Sequence, residues 1–210
     1  MAEGKKLIIY GAGGLGKEVK ALVDSINKET FEWDFVGFVD DGKTHESVLG
    51  GLDILKNYDQ GIYLVVAIGS PKTKFEVTEK ISVFSNIHYA TLVHPGAIIM
   101  DQETVKLGEG TIVTAGVVLT TEILIGNHVL LNLNSTVGHN AVIGDCCSLM
   151  PGVNVAGGVI IDDQVLVGSG ANILNGLKIG KGAKVGSGAV VLDTVKAGDT
   201  VVGVPAKIVK

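Results

Sequence analysis

The second half of this chain repeats with a period of six. From Leu107 onward every sixth residue is aliphatic: Leu107, Val113, Leu119, Ile125, Leu131, Val137, Ile143, Leu149, Val155, Ile161, Val167, Ile173, Ile179, Val185 and Val191. The residue four places after each anchor is small or apolar nearly throughout, from Thr111, Val117 and Ile123 to Val195. Glycine often follows the anchor directly, as at Gly108, Gly126, Gly138, Gly144, Gly168, Gly180 and Gly186. Six is neither the 3.6 of a helix nor the 2 of a lone strand. It is the signature of a hexapeptide β-helix, in which each hexad supplies one short strand and one corner. Three hexads close a triangular coil, the anchors point inward, and glycine is expected to relieve backbone strain at the corners. Fifteen hexads make five coils, a rod of roughly 24 Å at a strand spacing of about 4.8 Å. Residues 18 apart then lie one above the other, and the array runs from Leu107 to Lys196 without an insertion.

Such a prism is too narrow for rings, and the composition agrees. All ten aromatic residues lie between Tyr10 and Tyr89, and the last 121 residues have none. Two differently built regions therefore share 210 residues. Apolar residues are 46% and charged residues 19%, which excludes disorder. No apolar run approaches the roughly 18 residues of a membrane span, despite a mean hydropathy of +0.42. No signal peptide opens the sequence, and Cys146 and Cys147 are its only cysteines, so a reducing, cytoplasmic setting is expected. Every one of the 17 basic residues is lysine, and the net charge is −5. That argues against a nucleic-acid surface and leaves phosphate recognition to lysines and backbone N–H groups.

The first half reads as alternating strands and helices. A buried strand, 6–10, runs into Gly11-Ala12-Gly13-Gly14-Leu15-Gly16 and then a helical stretch to about Asn27. Strand, glycine turn, helix is the arrangement that brings backbone close to a phosphate at a helix N-terminus. A second strand, 35–39, ends in Asp40-Asp41-Gly42, where an acidic side chain meets a ribose or base. A third strand, 64–68, leads through Gly69-Ser70-Pro71 to a helix ending near Val83, and a last short strand covers 87–92. Four strands in about 93 residues are little more than half a dinucleotide fold, so a mononucleotide moiety fits better. The alternative is that the glycines, Gly11, Gly13, Gly14 and Gly16, only form a tight turn.

The hexapeptide array resembles the left-handed β-helix of hexapeptide-repeat acyltransferases, and the handedness comes from that resemblance. The ending Gly203-Val204-Pro205-Ala206-Lys207 is similar to their closing segment, and His94-Pro95 to the pair where their first coil begins. Joined to a nucleotide turn, the whole chain resembles sugar acyltransferases of the sialic acid O-acetyltransferase and bacillosamine-type N-acetyltransferase kind. The implied fold is a small α/β Rossmann-like domain followed by an all-β left-handed parallel β-helix. The implied division is residues 1–93 for the nucleotide-sugar, 94–196 for acetyl transfer and 197–210 for closure. The resemblance also implies acetyl-CoA as co-substrate, no metal, and a homotrimer with sites between subunits.

Acetyl transfer needs a base, an oxyanion donor and a groove for pantetheine. Of five histidines, His45 lies in a polar loop, His88 near a strand and His94 before proline; His128 and His139 fall two hexads apart, on different sides of the prism. A zinc hydratase built on three clustered histidines is thereby disfavoured. His139, in Asn134-Ser135-Thr136-Val137-Gly138-His139-Asn140, sits in a segment that looks like the family's catalytic one, and an imidazole titrating near 6.5 suits a base at neutral pH. One coil above it is Gly157, which the resemblance makes the backbone oxyanion donor, with Gly158 a competing assignment. Asn132 matches a family asparagine on the acceptor side; alternatively it forms an asparagine ladder with Asn134.

Two departures stand out. The acidic residue that follows the histidine in relatives is Asn140 here, and a second histidine nine places on is Ser148. The missing carboxylate is expected from Glu122, one coil below Asn140, or from Asp145. CoA should lie between prisms toward the C-terminal coils. Lys178, Lys181 and Lys184 would meet its phosphates, Gly170-Ala171 and Gly188-Ala189 would contact pantetheine, and Ser148 is expected on the acetyl-CoA side with Gly157. The resulting expectation is N-acetylation of a nucleotide-linked 4-amino-4,6-dideoxy sugar in surface-glycan precursor synthesis. O-acetylation of sialic acid or another sugar is the nearest alternative, and a non-catalytic β-helix scaffold or binding module a second.

Overall fold

The computed structural model describes residues 4–42, 47–58 and 61–209. The first domain is a five-stranded parallel sheet: β1 (Lys5–Tyr10), β2 (Trp33–Val39), β3 (Val48–Gly50), β4 (Ile62–Val66) and β5 (Ile87–Tyr89), in the order β3-β2-β1-β4-β5. Helices α1 (Gly14–Glu29) and α2 (Pro71–Ile81) flank it, and a 3₁₀ turn spans Leu52–Asn57. β3 and that turn are additions to the four strands read from the sequence; their three-residue length and half-burial leave no periodic trace. The central strand β1 buries Leu7, Ile8, Ile9 and Tyr10 almost completely, as a strand covered on both faces must.

The prism follows at once. Its three sides are parallel ladders: side 1 climbs from Leu92–Val93 to Lys184–Val185 and on to Thr200–Val202, side 2 from Ile98–Ile99 to Val190–Val191, and side 3 from Lys106–Leu107 to Lys178–Ile179. Each strand from Val113 to Ile173 pairs with the one 18 residues on, for example Val137 with Val155, while Ile179 and Val185 pair 16 residues on, with Val195 and Val201. Two further strands, Leu92–Val93 and Ile98–Ile99, lie below the fifteen hexads. They are hidden from a six-residue count because the stretch from Ile99 to Leu107 takes eight residues. Anchors and the residues four places after them fill the interior, and no ring is among them. The closing segment turns back as Lys207–Val209, antiparallel to Thr200–Val202.

The corner chemistry differs from expectation. All fourteen corners from Gly110 to Gly188 place a positive φ three residues after the anchor, at eight glycines and at Glu122, His128, Asn134, Asn140, Cys146 and Gln164. The glycines directly after the anchors serve another purpose, close stacking: a Cβ on Gly138 would stand 2.7 Å from Gly157 N. A side chain held at positive φ costs on the order of 1 kcal/mol. Six such corners mark where a side chain, rather than hydrogen, is wanted.

The first domain docks on the outside of side 1. Val19, Leu22 and Val23 of α1 form one apolar cluster with Ile112 and Leu130, which point outward from the prism. At about 25 cal/mol per Å² of apolar burial, side chains of this size contribute roughly 1.5–3 kcal/mol each.

Candidate active site

Between sides 2 and 3 the corner residues stack as Thr104, Glu122, Asn140 and Gly158. At its foot, Asp101 accepts hydrogen bonds from Thr104 Oγ1 (2.6 Å) and Thr121 Oγ1 (2.8 Å), which hold its carboxyl below the usual range. Thr104 Oγ1 in turn accepts the Glu122 N–H at 2.8 Å. Glu122 Oε2 accepts from Asn140 Nδ2 at 2.7 Å, and Asn140 Oδ1 stands 2.8 Å from His139 Nδ1. The direction of this chain is forced. A carboxylate only accepts, so the amide nitrogen faces Glu122 and the amide oxygen faces the ring. His139 therefore carries a proton on Nδ1, which in the neutral ring puts the lone pair on Nε2.

The ring lies against the next coil. A Cβ added to Gly157 would stand 2.5 Å from His139 Nε2, so only glycine leaves the imidazole its place. Above it the column continues as Gly158 and Gly176, with nothing near the Gly176 Cβ position, leaving a groove open toward the C-terminal coils. At the neighbouring corner the residue two after the anchor directs its N–H upward to an oxygen. Asn127 N–H donates to Asp145 Oδ1 (2.7 Å) and Asp145 N–H to Asp163 Oδ1 (3.1 Å). Gly157 holds the same place at its own corner.

Asp145 therefore belongs to the corner between sides 3 and 1, and the structure does not bring it to His139. That corner also holds His128. Its imidazole meets Tyr89 edge-on with centroids 4.4 Å apart, its buried Nδ1 has no hydrogen-bond partner among the described residues, and burial pushes its pKa down to about 4. His94 is a turn residue, its Nδ1 accepting the Gly96 N–H at 2.8 Å. His45 lies outside the described residues. Among the described residues no group of three His, Cys, Asp or Glu side chains is placed to hold a metal.

Asn132 lies at the third corner, between sides 1 and 2, and is 7% exposed. Its Oδ1 accepts the Leu133 N–H at 2.8 Å rather than joining Asn134. With Glu18, Leu22, His94, Thr114 and Leu133 it lines a cavity of about 240 Å³ between α1 and the prism. Within one chain that cavity and His139 occupy different corners.

Several expected CoA contacts are corrected. Ser148 is fully buried against α2, where its Oγ accepts from Lys74 Nζ at 3.0 Å, so it is closed to a cofactor groove. The N–H groups of Gly170 and Ala171 are already spent on Pro151 O (2.9 Å) and Gly168 O (3.2 Å), and those of Gly188 and Ala189 on Ser169 O and Gly186 O, which leaves their carbonyls as the backbone groups for pantetheine. Lys178 pairs with Asp162 at 3.2 Å on side 3 and Lys181 with Asp163 at 3.3 Å. Lys184 lies on side 1 beside Ser70 and Lys72, so the three lysines do not form one cluster.

The glycine turn sits at the top of β1. Gly11 has φ +108 and its Cβ position is 2.8 Å from Ala67 O, while a Cβ on Gly16 would collide with Gly11 O. Those two are required by the turn itself. Gly14 opens into free space and Gly13 caps α1 with no side-chain hydrogen bond, which leaves the first turn accessible to an anion. Asp40 braces the loop by accepting the Ala12 N–H (2.8 Å) and the Gly42 N–H (2.9 Å). Asp41 is turned to the Tyr10 hydroxyl (2.7 Å) and the Leu52 N–H (2.7 Å).

Comparison with known proteins agrees with this geometry. Residues 6–81 match the PglD N-terminal domain family. WeeI from Acinetobacter baumannii is 32% identical over 98% of this chain and 100% of its own, with a TM-score of 0.86. The acetyltransferase domain of PglB from Neisseria gonorrhoeae is 26% identical over 98% and 100%, with a TM-score of 0.90. PerB from Caulobacter crescentus, solved with CoA and GDP-perosamine, is 28% identical over 100% and 99%, with a TM-score of 0.87. No curated protein sequence gives a significant match. The prism is a left-handed parallel β-helix, and the chain belongs to the nucleotide-sugar N-acetyltransferases of the bacillosamine and perosamine type.

Proposed function

We propose that this enzyme transfers acetyl from acetyl-CoA to the amino group of a nucleotide-linked 4-amino-4,6-dideoxy sugar, in a cytoplasmic, reducing setting, as a step toward a surface glycan. The observation that carries the reading is the corner chain from Glu122 through Asn140 to His139, with Gly157 against the ring. His139 Nε2 takes the proton as the amine attacks the thioester carbonyl. The C–N bond forms, the oxyanion is held by Gly157 N–H, and the C–S bond breaks as the sulfur receives the proton. General-base help of this kind is worth about 10²–10⁴ in rate. Pantetheine follows the glycine groove above Gly158, and the nucleotide phosphates meet the first turn of α1 beside Gly13 and Gly14, with Asp40 at the ribose edge.

The division of these parts between corners supports a homotrimer. Side 2 runs between the His139 corner and the Asn132 corner, and both lie on the same coil. Three prisms packed with side 2 inward set each His139 against a neighbour's Asn132 cavity. Exposed Ile98, Met100, Leu133, Leu174 and Leu192 border that side. The apolar cavity floor suits a sugar methyl, and the absence of arginine disfavours a carboxylate-bearing acceptor.

The decisive experiment is thiol release from acetyl-CoA with UDP-, dTDP- and GDP-linked 4-amino sugars. Release and an N-acetylated product with one of them are expected. Turnover only with hydroxyl acceptors, or none at all, overturns the reading.

A further inference from the structure

Lys74 is the largest fully buried side chain among the described residues and takes no part in the chemistry above. It falls on the buried stripe of α2 with Pro71, Val77, Thr78 and Ile81, where an apolar residue would be ordinary. Its ammonium instead donates to His128 O (2.8 Å), Cys147 O (3.0 Å) and Ser148 Oγ (3.0 Å), all on the prism. Three donors meet three acceptors, so the buried charge is fully satisfied. The arrangement still costs more than a hydrocarbon would, which asks what the charge secures.

The docking surface supplies the answer. Side 1 presents nearly the same relief every coil, about 4.8 Å apart. Its outward column reads Ile112, Leu130, Ser148, Leu166 and Lys184. Apolar contact with such a column is non-directional, so away from the two-residue link Ala90-Thr91 that joins the domains it leaves the seat of α2 free to slip by one coil. Among these five Ser148 alone carries a hydroxyl; the next, Thr200, lies beyond Lys184. One coil down, the ammonium would face Leu130, and one coil up, Leu166; neither side chain accepts a hydrogen bond.

We propose that Lys74 is a positioning residue: paired with Ser148, it fixes the coil at which the nucleotide-binding domain docks, and so sets the reach of the bound sugar to the acetyl-transfer corner. α2 begins at Ser70-Pro71, just after β4, and a Cβ added to Gly69 would stand 3.5 Å from Met150 Cε of the same coil. A slip of one coil would move the cleft by about 4.8 Å, far beyond the tolerance of acyl transfer. The consequence for turnover rests on the function proposed above; the fixed register does not.

The test compares Lys74→Met and Ser148→Ala with the wild type in two measurements. Hydrogen–deuterium exchange is expected to quicken in residues 69–74 and 147–150, with exchange in the remaining coils and acetyl-CoA affinity within twofold. With the amino-sugar nucleotide that the wild type accepts, KM for that sugar is expected to rise at least tenfold in Lys74→Met and two- to threefold in Ser148→Ala, with KM for acetyl-CoA unchanged. Unchanged exchange in both variants overturns the proposal, as does an equal rise in both KM values. Should Lys74→Met fail to fold, Ser148→Ala decides by the same two readouts. Should the wild type acetylate none of the amino sugars, the functional reading has failed, and exchange alone still decides the register.

Discussion

His128 and His139 occupy neighbouring corners of one prism, built from the same six-residue unit. His128 is the positive-φ residue of its corner, while His139 precedes the positive-φ Asn140 of its own. The first domain covers the His128 corner, where Tyr89 packs on the ring and Lys74 takes the backbone carbonyl. The His139 corner stays open, and a chain of hydrogen bonds leads from its ring to a carboxylate. The difference teaches that the repeat supplies position and the cover supplies chemistry. One imidazole is kept neutral by burial, and the other is kept available by an amide that orients it.

The largest expected effect separates the two rings by activity. His139→Ala should lower kcat by about 10²–10⁴, the worth of a general base, while His128→Asn, which tolerates positive φ, should stay within about threefold; steady-state thiol release measures both. An inactive His128→Asn with wild-type folding would erase the distinction.

Gly157→Ala comes next. It keeps the N–H but drives a methyl into His139 Nε2, and a loss of about 10² in kcat is expected with little change in melting temperature.

Acid stability sharpens the comparison from the other side. The His128 imidazole titrates at about 4 in the folded protein against 6.5 when unfolded. The unfolded chain binds the proton first, so this contribution is whole above pH 6.5 and is lost as pH falls toward 4. Its size is on the order of 3 kcal/mol. Urea melts of the wild type and His128→Asn should therefore converge as the pH is lowered through that window.

The smallest effect is at Glu122→Gln, which keeps an acceptor for Asn140 and removes only the charge. A three- to tenfold fall in rate with an altered pH profile is expected, and an unchanged profile would reduce Glu122 to a spacer.

Much of this was legible in the sequence, because stacking is arithmetic. The period of six gives the prism, and a step of 18 joins Glu122 to Asn140 and His139 to Gly157. What escaped depends on atoms that sequence does not spell. Lys74 is held partly by two backbone carbonyls. The spent N–H groups of Gly170 and Ala171 follow from corner geometry rather than residue type. The burial of Ser148 is decided by α2, whose Lys74 is 74 residues away in the chain, and the eight-residue stretch from Ile99 to Leu107 concealed the two strands before it. The positive φ falls three places after the anchor, where six of fourteen residues are not glycine, so no glycine pattern announced it.

The turned-back strand at Lys207–Val209 has a consequence wherever the protein is concentrated. A stack of parallel rungs has no natural last member, because each rung offers the next an identical row of unpaired amides and carbonyls. Reversing the final strand presents antiparallel spacing where another prism's first rung would need parallel spacing. The same hairpin that ends the fold thus guards the column against growing end to end into a fibre.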